Sequence, residues 1–205
     1  MKSKWLIGVD EAGRGPLAGP VSVGLVLVPV NFNWNLIPGV GDSKQLSEKK
    51  REDIFERAKV LQKEGKLQYI VEMVVASKID SDGISNCIKK AITHGLKKLS
   101  SRSRLELGEV MVKLDGSLNA PLEYVHQETI IKGDSKEKVI GLASIMAKVT
   151  RDRYMIKVAK DPSFKVYDFG RHKGYGTKAH REAIAQNGLS TLHRTTYCRN
   201  IVFVV

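Results

Sequence analysis

Two cysteines in 205 residues, Cys87 and Cys198, are too few for a disulfide framework or a zinc cluster. Cys87 lies among apolar neighbours and reads as a small core residue, and a reducing, cytoplasmic compartment is expected. No run of about 18 apolar residues occurs, so no membrane span is expected. The short N-terminal apolar stretch is interrupted by Asp10 and Glu11 before a signal-peptide core can form. No Ser–His–Asp or Cys–His arrangement suggests nucleophilic catalysis, and no internal repeat is present. Acidic residues are outnumbered: 34 Lys+Arg against 22 Asp+Glu leave a net charge of +12. That excess favours a polyanionic partner, through counterions released from its phosphates. The basic residues are spread through structured-looking segments, which points to a binding face rather than a disordered arm.

The densest signal is GVDEAGRGP at residues 8–16. An apolar run (Trp5, Leu6, Ile7, Val9) reads as a buried strand that ends in two adjacent carboxylates, Asp10 and Glu11. Such neighbours repel, and burying them is costly unless a cation compensates. The loop Gly13–Arg14–Gly15 follows and offers backbone N–H groups and a guanidinium, donors that suit a phosphate.

Further along, VSVGLVLV (21–28) alternates Val21, Val23, Leu25 and Leu27 with Ser22, Gly24, Val26 and Val28, as a second strand does. After an irregular loop over 29–46, Ser47 caps a helix to about residue 64, with Ile54, Ala58 and Leu61 inward and Gly65 ending it. Strands are expected at 68–75 and 110–114, the latter ending at Asp115, and at 128–134, ending at Asp134. Helices are expected at 84–99, 137–159 and 178–186. One α/β unit results, a sheet covered by helices. Acids at separate strand ends (Asp10 with Glu11, Asp115, Asp134) then converge on one rim, where α/β folds place ligand sites.

Three or four carboxylates without His or Cys form an oxygen-ligand site that suits Mg²⁺ or Mn²⁺ rather than zinc. Two such ions roughly 4 Å apart can activate a water and stabilise the leaving oxygen of a phosphodiester. Three histidines in the tail (His172, His180, His193), with Arg171, Lys173, Arg181 and Arg194, read either as a solvated basic face or as contacts to backbone phosphate. Asp152, between Arg151 and Arg153, reads as a local ion pair.

Six stretches, in order, carry a resemblance: GVDEAGRGPLAGPV (8–21), DSKQLS (42–47), KLDG (113–116), KGD (132–134), ASIMAKVTRDR (143–153) and HKGYGTKAH (172–180). Together they resemble the type 2 ribonuclease H family, ribonuclease HII, over nearly the whole chain. The resemblance implies a ribonuclease H-like mixed sheet flanked by helices with a small helical C-terminal extension. A single catalytic domain over 1–205 is expected, with about 161–205 a basic extension that contributes to substrate binding. The implied activity is cleavage of RNA in RNA–DNA hybrids and incision 5′ of single ribonucleotides in duplex DNA, leaving 3′-hydroxyl and 5′-phosphate ends. Asp10, Glu11, Asp115 and Asp134 match the family's metal ligands, for Mg²⁺ or Mn²⁺. Gly13, Arg14 and Gly15 match the loop that senses the ribose 2′-hydroxyl, and Tyr175 matches the tyrosine that stacks on the neighbouring sugar. Ser43 and Lys44 are expected at backbone phosphates. The related ribonuclease HIII type usually carries an extra N-terminal domain, for which no room is expected before Asp10. A monomer is expected; the sequence does not show a DNA-clamp partner. The rivals are a DNA-directed nuclease on the same fold and a hybrid-binding module without catalysis. The 2′-hydroxyl-sensing loop argues against the first and the retained acids against the second.

Overall fold

The computed structural model describes residues 3–201 except 42 and 44. Five strands form one sheet in the order β3-β2-β1-β4-β5: β1 Trp5–Ala12, β2 Val21–Pro29, β3 Gln68–Val74, β4 Val110–Asp115 and β5 Gln127–Ile130. β1 and β3 run antiparallel to β2, whereas β4 lies parallel to β1 and β5 parallel to β4. The sheet is therefore mixed, with β1 at its centre.

Alternation along the strands sends successive side chains to opposite faces. Ile7, Val9, Val21, Val23, Leu25, Val112 and Leu114 meet helix α3 (Ile84–Ser103) in one core. Val26 and Val28 meet helices α1 (Glu48–Lys63) and α5 (Lys138–Val158) in the other. Both alternating sets of β2 are buried for that reason. α1 begins where Ser47 accepts a hydrogen bond from the Lys50 amide at 3.2 Å, and it buries Ile54, Phe55, Ala58 and Leu61. A short helix α2 (Ala76–Asp82), which the sequence pattern does not announce, precedes α3. The four-residue helices α4 (Gly133–Lys136) and α6 (Phe169–His172), and α7 (Lys178–Asn187), complete the chain, and a third cluster around Met155, Tyr167 and Phe169 seats the C-terminal segment. No helix among the described residues is long and apolar enough to cross a membrane.

α5 lies directly on the sheet because β1 and β2 present glycines to it. A Cβ at Gly24 would stand 2.2 Å from the Ala143 carbonyl oxygen, backbone that cannot yield. Gly24→Ala is therefore expected to cost about 1–3 kcal/mol through overpacking. Denaturant unfolding checks it, and an unchanged midpoint would show that α5 can lift off without penalty.

Candidate active site

β1 does not stop at Asp10 but continues through Glu11 to Ala12. By alternation Asp10 faces α5, while Glu11 faces the α3 side. Asp10 is buried, at 4% exposure. Its Oδ1 accepts the Glu11 amide at 2.7 Å, and its carboxyl also receives a hydrogen bond from Ser144 on α5. The Ser144 hydroxyl in turn lies 2.8 Å from that of Ser43, so Ser43 faces inward. Val9 pairs with Leu114 across the parallel β1–β4 ladder, so Asp10 and Asp115 follow as neighbours. Burial, with the charges of Glu11 and Asp115 added, pushes the Asp10 carboxyl up to about 8.

Asp115 Oδ1 accepts the Gly133 amide at 2.6 Å. This bond ties the start of α4 to the end of β4 and brings the buried Asp134 next to it in sequence. Asp134 does not end a strand as the sequence pattern predicts. β5 stops at Ile130, Lys132 takes a left-handed conformation (φ 56°), and Asp134 sits in the first turn of α4.

Beside the acids, the 13–20 segment is held by two guanidiniums that are fully buried. Arg151 donates to Pro20, Ala18 and Lys173 carbonyls at 2.8, 3.0 and 2.9 Å. Arg194 donates to Gly19, Arg14 and Gly13 carbonyls at 3.0, 2.9 and 2.7 Å. Gly13 (φ 91°) has to be glycine, because a Cβ would stand 2.2 Å from Arg151 Nε. Burial and the nearby Arg151 charge pull Arg194 down to about 10, which still leaves it charged at neutral pH. The amides of Leu17 and Ala18 both bond the Gly174 carbonyl, at 2.9 and 3.3 Å. Tyr175 is thereby held next to the glycine loop, with its ring 5.6 Å from the Arg151 guanidinium and 5.7 Å from the Lys148 ammonium. Tyr175 as a whole remains 41% exposed. Arg14 itself reaches back to Glu11 Oε1 at 2.9 Å. A groove of about 560 Å³ leads away from Arg14 past Ser85, Lys89, Ser117 and Asn119.

Two expectations from the sequence need correcting. Part of the tail is not the basic face expected: His180, His193 and Arg194 are buried and bonded inside the protein, whereas Arg171 and Arg181 are exposed. Asp152 forms the expected local ion pair, its partner being Lys148 one turn earlier, with both carboxylate oxygens 2.7 Å from Nζ. Its neighbour Arg151 is spent on carbonyls, and Arg153 turns to Glu52 and Glu56. The strand over 128–134 ends at Ile130, as described above. Lys44 lies outside the described residues. The sequence reading passed over Ser144, Arg151 and Arg194 as parts of the site. Ser144, Ala147, Arg151 and Met155 fall at helical spacing on the buried stripe of α5, so a signal for Arg151 was there. Arg194 has no comparable pattern around it.

The donor set suits a hard divalent cation: buried carboxylates under mutual repulsion, with no imidazole or thiol among them. Among the described residues no three acid, imidazole or thiol groups already stand so as to hold an ion unaided. Glu11 is engaged by Arg14 and Asp115 by the Gly133 amide, and small hard cations ordinarily fill their shells with water and phosphate oxygens.

A sequence profile described as Ribonuclease HII matches residues 7–200. The chain belongs to the ribonuclease HII family. A ribonuclease HII from Endomicrobium trichonymphae is 44% identical over 190 residues, covering 93% of this chain and 83% of that one. One from Aliarcobacter butzleri is 43% identical over 194 residues, covering 95% and 91%. Among solved structures, the ribonuclease H2 of Pyrococcus horikoshii superposes with a TM-score of 0.67 at 26% identity, covering 96% of both chains. Membership of the ribonuclease HII family makes the chain an enzyme, a ribonuclease H, and the five-stranded mixed sheet with its flanking helices is the ribonuclease H-like fold.

Proposed function

We propose that this chain cleaves the RNA strand of RNA–DNA hybrids and incises 5′ of single ribonucleotides in duplex DNA, leaving 3′-hydroxyl and 5′-phosphate ends. One observation carries the reading: Arg151 ties the 13–20 loop to the Tyr175 loop immediately beside the Asp10 cluster. A group that reads a sugar is thus fixed next to groups that attract cations. Asp10, Glu11, Asp115 and Asp134 would hold the divalent metal, Mg²⁺ or Mn²⁺. When bound, such ions supply the Lewis acidity that activates a water and stabilises the departing 3′ oxygen. The chain's own residues do the rest. Gly13 and Gly15 let backbone approach the ribose, whose 2′-hydroxyl both donates and accepts. Arg14 draws in the adjoining phosphate. Tyr175 packs on the next sugar, and its hydroxyl is free to reach the ribose. The groove from Arg14 to Lys89 offers a path for the backbone. In this reading residues 1–205 act as one catalytic domain, and the segment after 161 serves binding through Tyr175. Ser43, bonded to Ser144 behind Asp10, would support the cluster from within, and the phosphate contact expected of Lys44 remains part of the proposal. The chain works as a monomer.

Asp134→Asn is expected to cut turnover by about a hundredfold or more, as loss of a metal ligand or its close support does. Asp152→Asn is expected to change it little, because Asp152 is already neutralised by Lys148. Steady-state cleavage of a labelled hybrid by the two variants, with divalent metal and with excess chelator, tests the assignment. Full activity in chelator, or a loss confined to Asp152→Asn, would overturn it.

A further inference from the structure

Beneath the Tyr175 loop lies a chain of hydrogen bonds between two buried imidazoles. The Ser190 amide donates to His193 Nδ1 at 2.9 Å, His193 Nε2 lies 3.0 Å from His180 Nε2, and His180 Nδ1 lies 2.9 Å from the Tyr175 carbonyl oxygen. Elementary donor and acceptor chemistry fixes every proton. A backbone amide only donates, so His193 Nδ1 accepts and its hydrogen sits on Nε2. A carbonyl only accepts, so His180 carries its hydrogen on Nδ1 and accepts at Nε2. The two ends are independent, yet they demand the same direction: Ser190 to His193 to His180 to Tyr175. A third ring supports the arrangement. His172 stacks on His180 with centroids 4.3 Å apart, accepts the Gly174 amide at Nδ1 and donates from Nε2 to the Tyr167 carbonyl.

We propose that His180 and His193 are positioning residues whose one-way hydrogen-bond relay sets the backbone of Tyr175, and so the junction preference of the enzyme. The proposal rests on the reading of Tyr175 as the sugar-packing residue. Tyr175 sits between the relay and the surface, and its carbonyl takes the relay's last bond. Both rings must stay neutral, since a second proton on His180 would set N–H against N–H at the Nε2 contact and one on His193 would set Nδ1–H against the Ser190 amide. Burial enforces this by pulling both imidazoles down to about 4.

The test compares cleavage of a duplex holding one ribonucleotide with cleavage of an all-RNA hybrid strand. His180→Phe keeps a flat ring but removes the donor, and is expected to lower the ratio of the two kcat/KM values about five- to tenfold, the worth of one buried hydrogen bond. His180→Asn puts an amide N–H near the place of Nδ1–H and is expected to restore most of the ratio. If His180→Phe does not fold, His193→Phe removes the relay one ring further back and is expected to lower the ratio about two- to threefold. On the unmodified protein, ¹⁵N NMR between pH 6 and 8 is expected to show Nδ1–H on His180 and Nε2–H on His193. The opposite tautomers, a charged ring, or a folded Phe variant with an unchanged ratio would overturn the proposal. Tyr175→Ala run beside them separates the two ideas. An unchanged ratio there would overturn the role of Tyr175 itself, whatever the histidines do.

Discussion

Asp10→Asn is expected to lower turnover by about a thousandfold and, at the same time, to stabilise the metal-free protein. The first effect follows from losing a carboxylate at the centre of the acid cluster, since metal-assisted charge stabilisation is worth several kcal/mol at the transition state. The second follows from what the native structure does to that carboxyl. Burial, with Glu11 and Asp115 adding to it, raises Asp10 from 3.8 to about 8. The folded state therefore holds this proton more tightly than the unfolded chain. The stabilisation this confers is complete below about pH 4 and is lost as pH rises towards 8. Above that, the protein carries an ionised, buried and repelled carboxylate. An asparagine at position 10 never ionises, so the variant's gain in Tm is expected to be larger at pH 9 than at pH 5. Divalent metal is expected to raise the Tm of the parent more than that of the variant, because bound ligand stabilises the state that holds it. The variant should still bind hybrid, having lost negative charge rather than shape. Thermal unfolding at the two pH values checks the argument; equal gains at both would mean that Asp10 is not the strained group described here.

Arg151→Met has the largest expected effect on stability. Its guanidinium satisfies three carbonyls, those of Ala18, Pro20 and Lys173, and no carboxylate competes for it in those bonds. Methionine fills comparable space but donates nothing. Each buried acceptor left without a partner costs about 1–3 kcal/mol, so a total of about 3–6 kcal/mol is expected. For a chain of this length that corresponds to a fall in Tm of roughly 10 °C or more. Lysine cannot replace the planar fork, so Arg151→Lys is expected to recover only part of the loss. A Tm within about 2 °C of the parent for Arg151→Met would show that the two loops hold together without it.

Much of the scaffold was legible from pattern alone. The alternation in 21–28 gave both faces of β2, and Ser47 and Gly65 bracketed α1, because caps and periodicity are local properties. The Asp134 region was misjudged for an equally local reason. Ile130 and Ile131 continue an apolar run, yet the strand ends at Ile130 and Ile131 stands 73% exposed. What turns the chain there is a left-handed Lys132, a residue type that gives no warning of that conformation. Charge was the other blind spot. Arg194, His180 and His193 look from sequence like any basic surface, and only the fold reveals that their donors are turned inward onto carbonyls and one another. Buried cations without acidic partners cannot be found by looking for ion pairs. Arg151 was more accessible, since it shares the helical stripe of Ser144 and Met155.

The central claim is that a carboxylate cluster cuts while a separate, rigidly tied loop pair chooses where. The most direct measurement uses a duplex DNA with a single labelled ribonucleotide, incubated with Mg²⁺, with Mn²⁺ and with excess chelator. The account predicts one cut, on the 5′ side of the ribonucleotide, with 3′-hydroxyl and 5′-phosphate ends, in either metal and not in chelator. Cleavage of the all-DNA control at a similar rate, or cutting that persists in chelator, would contradict it.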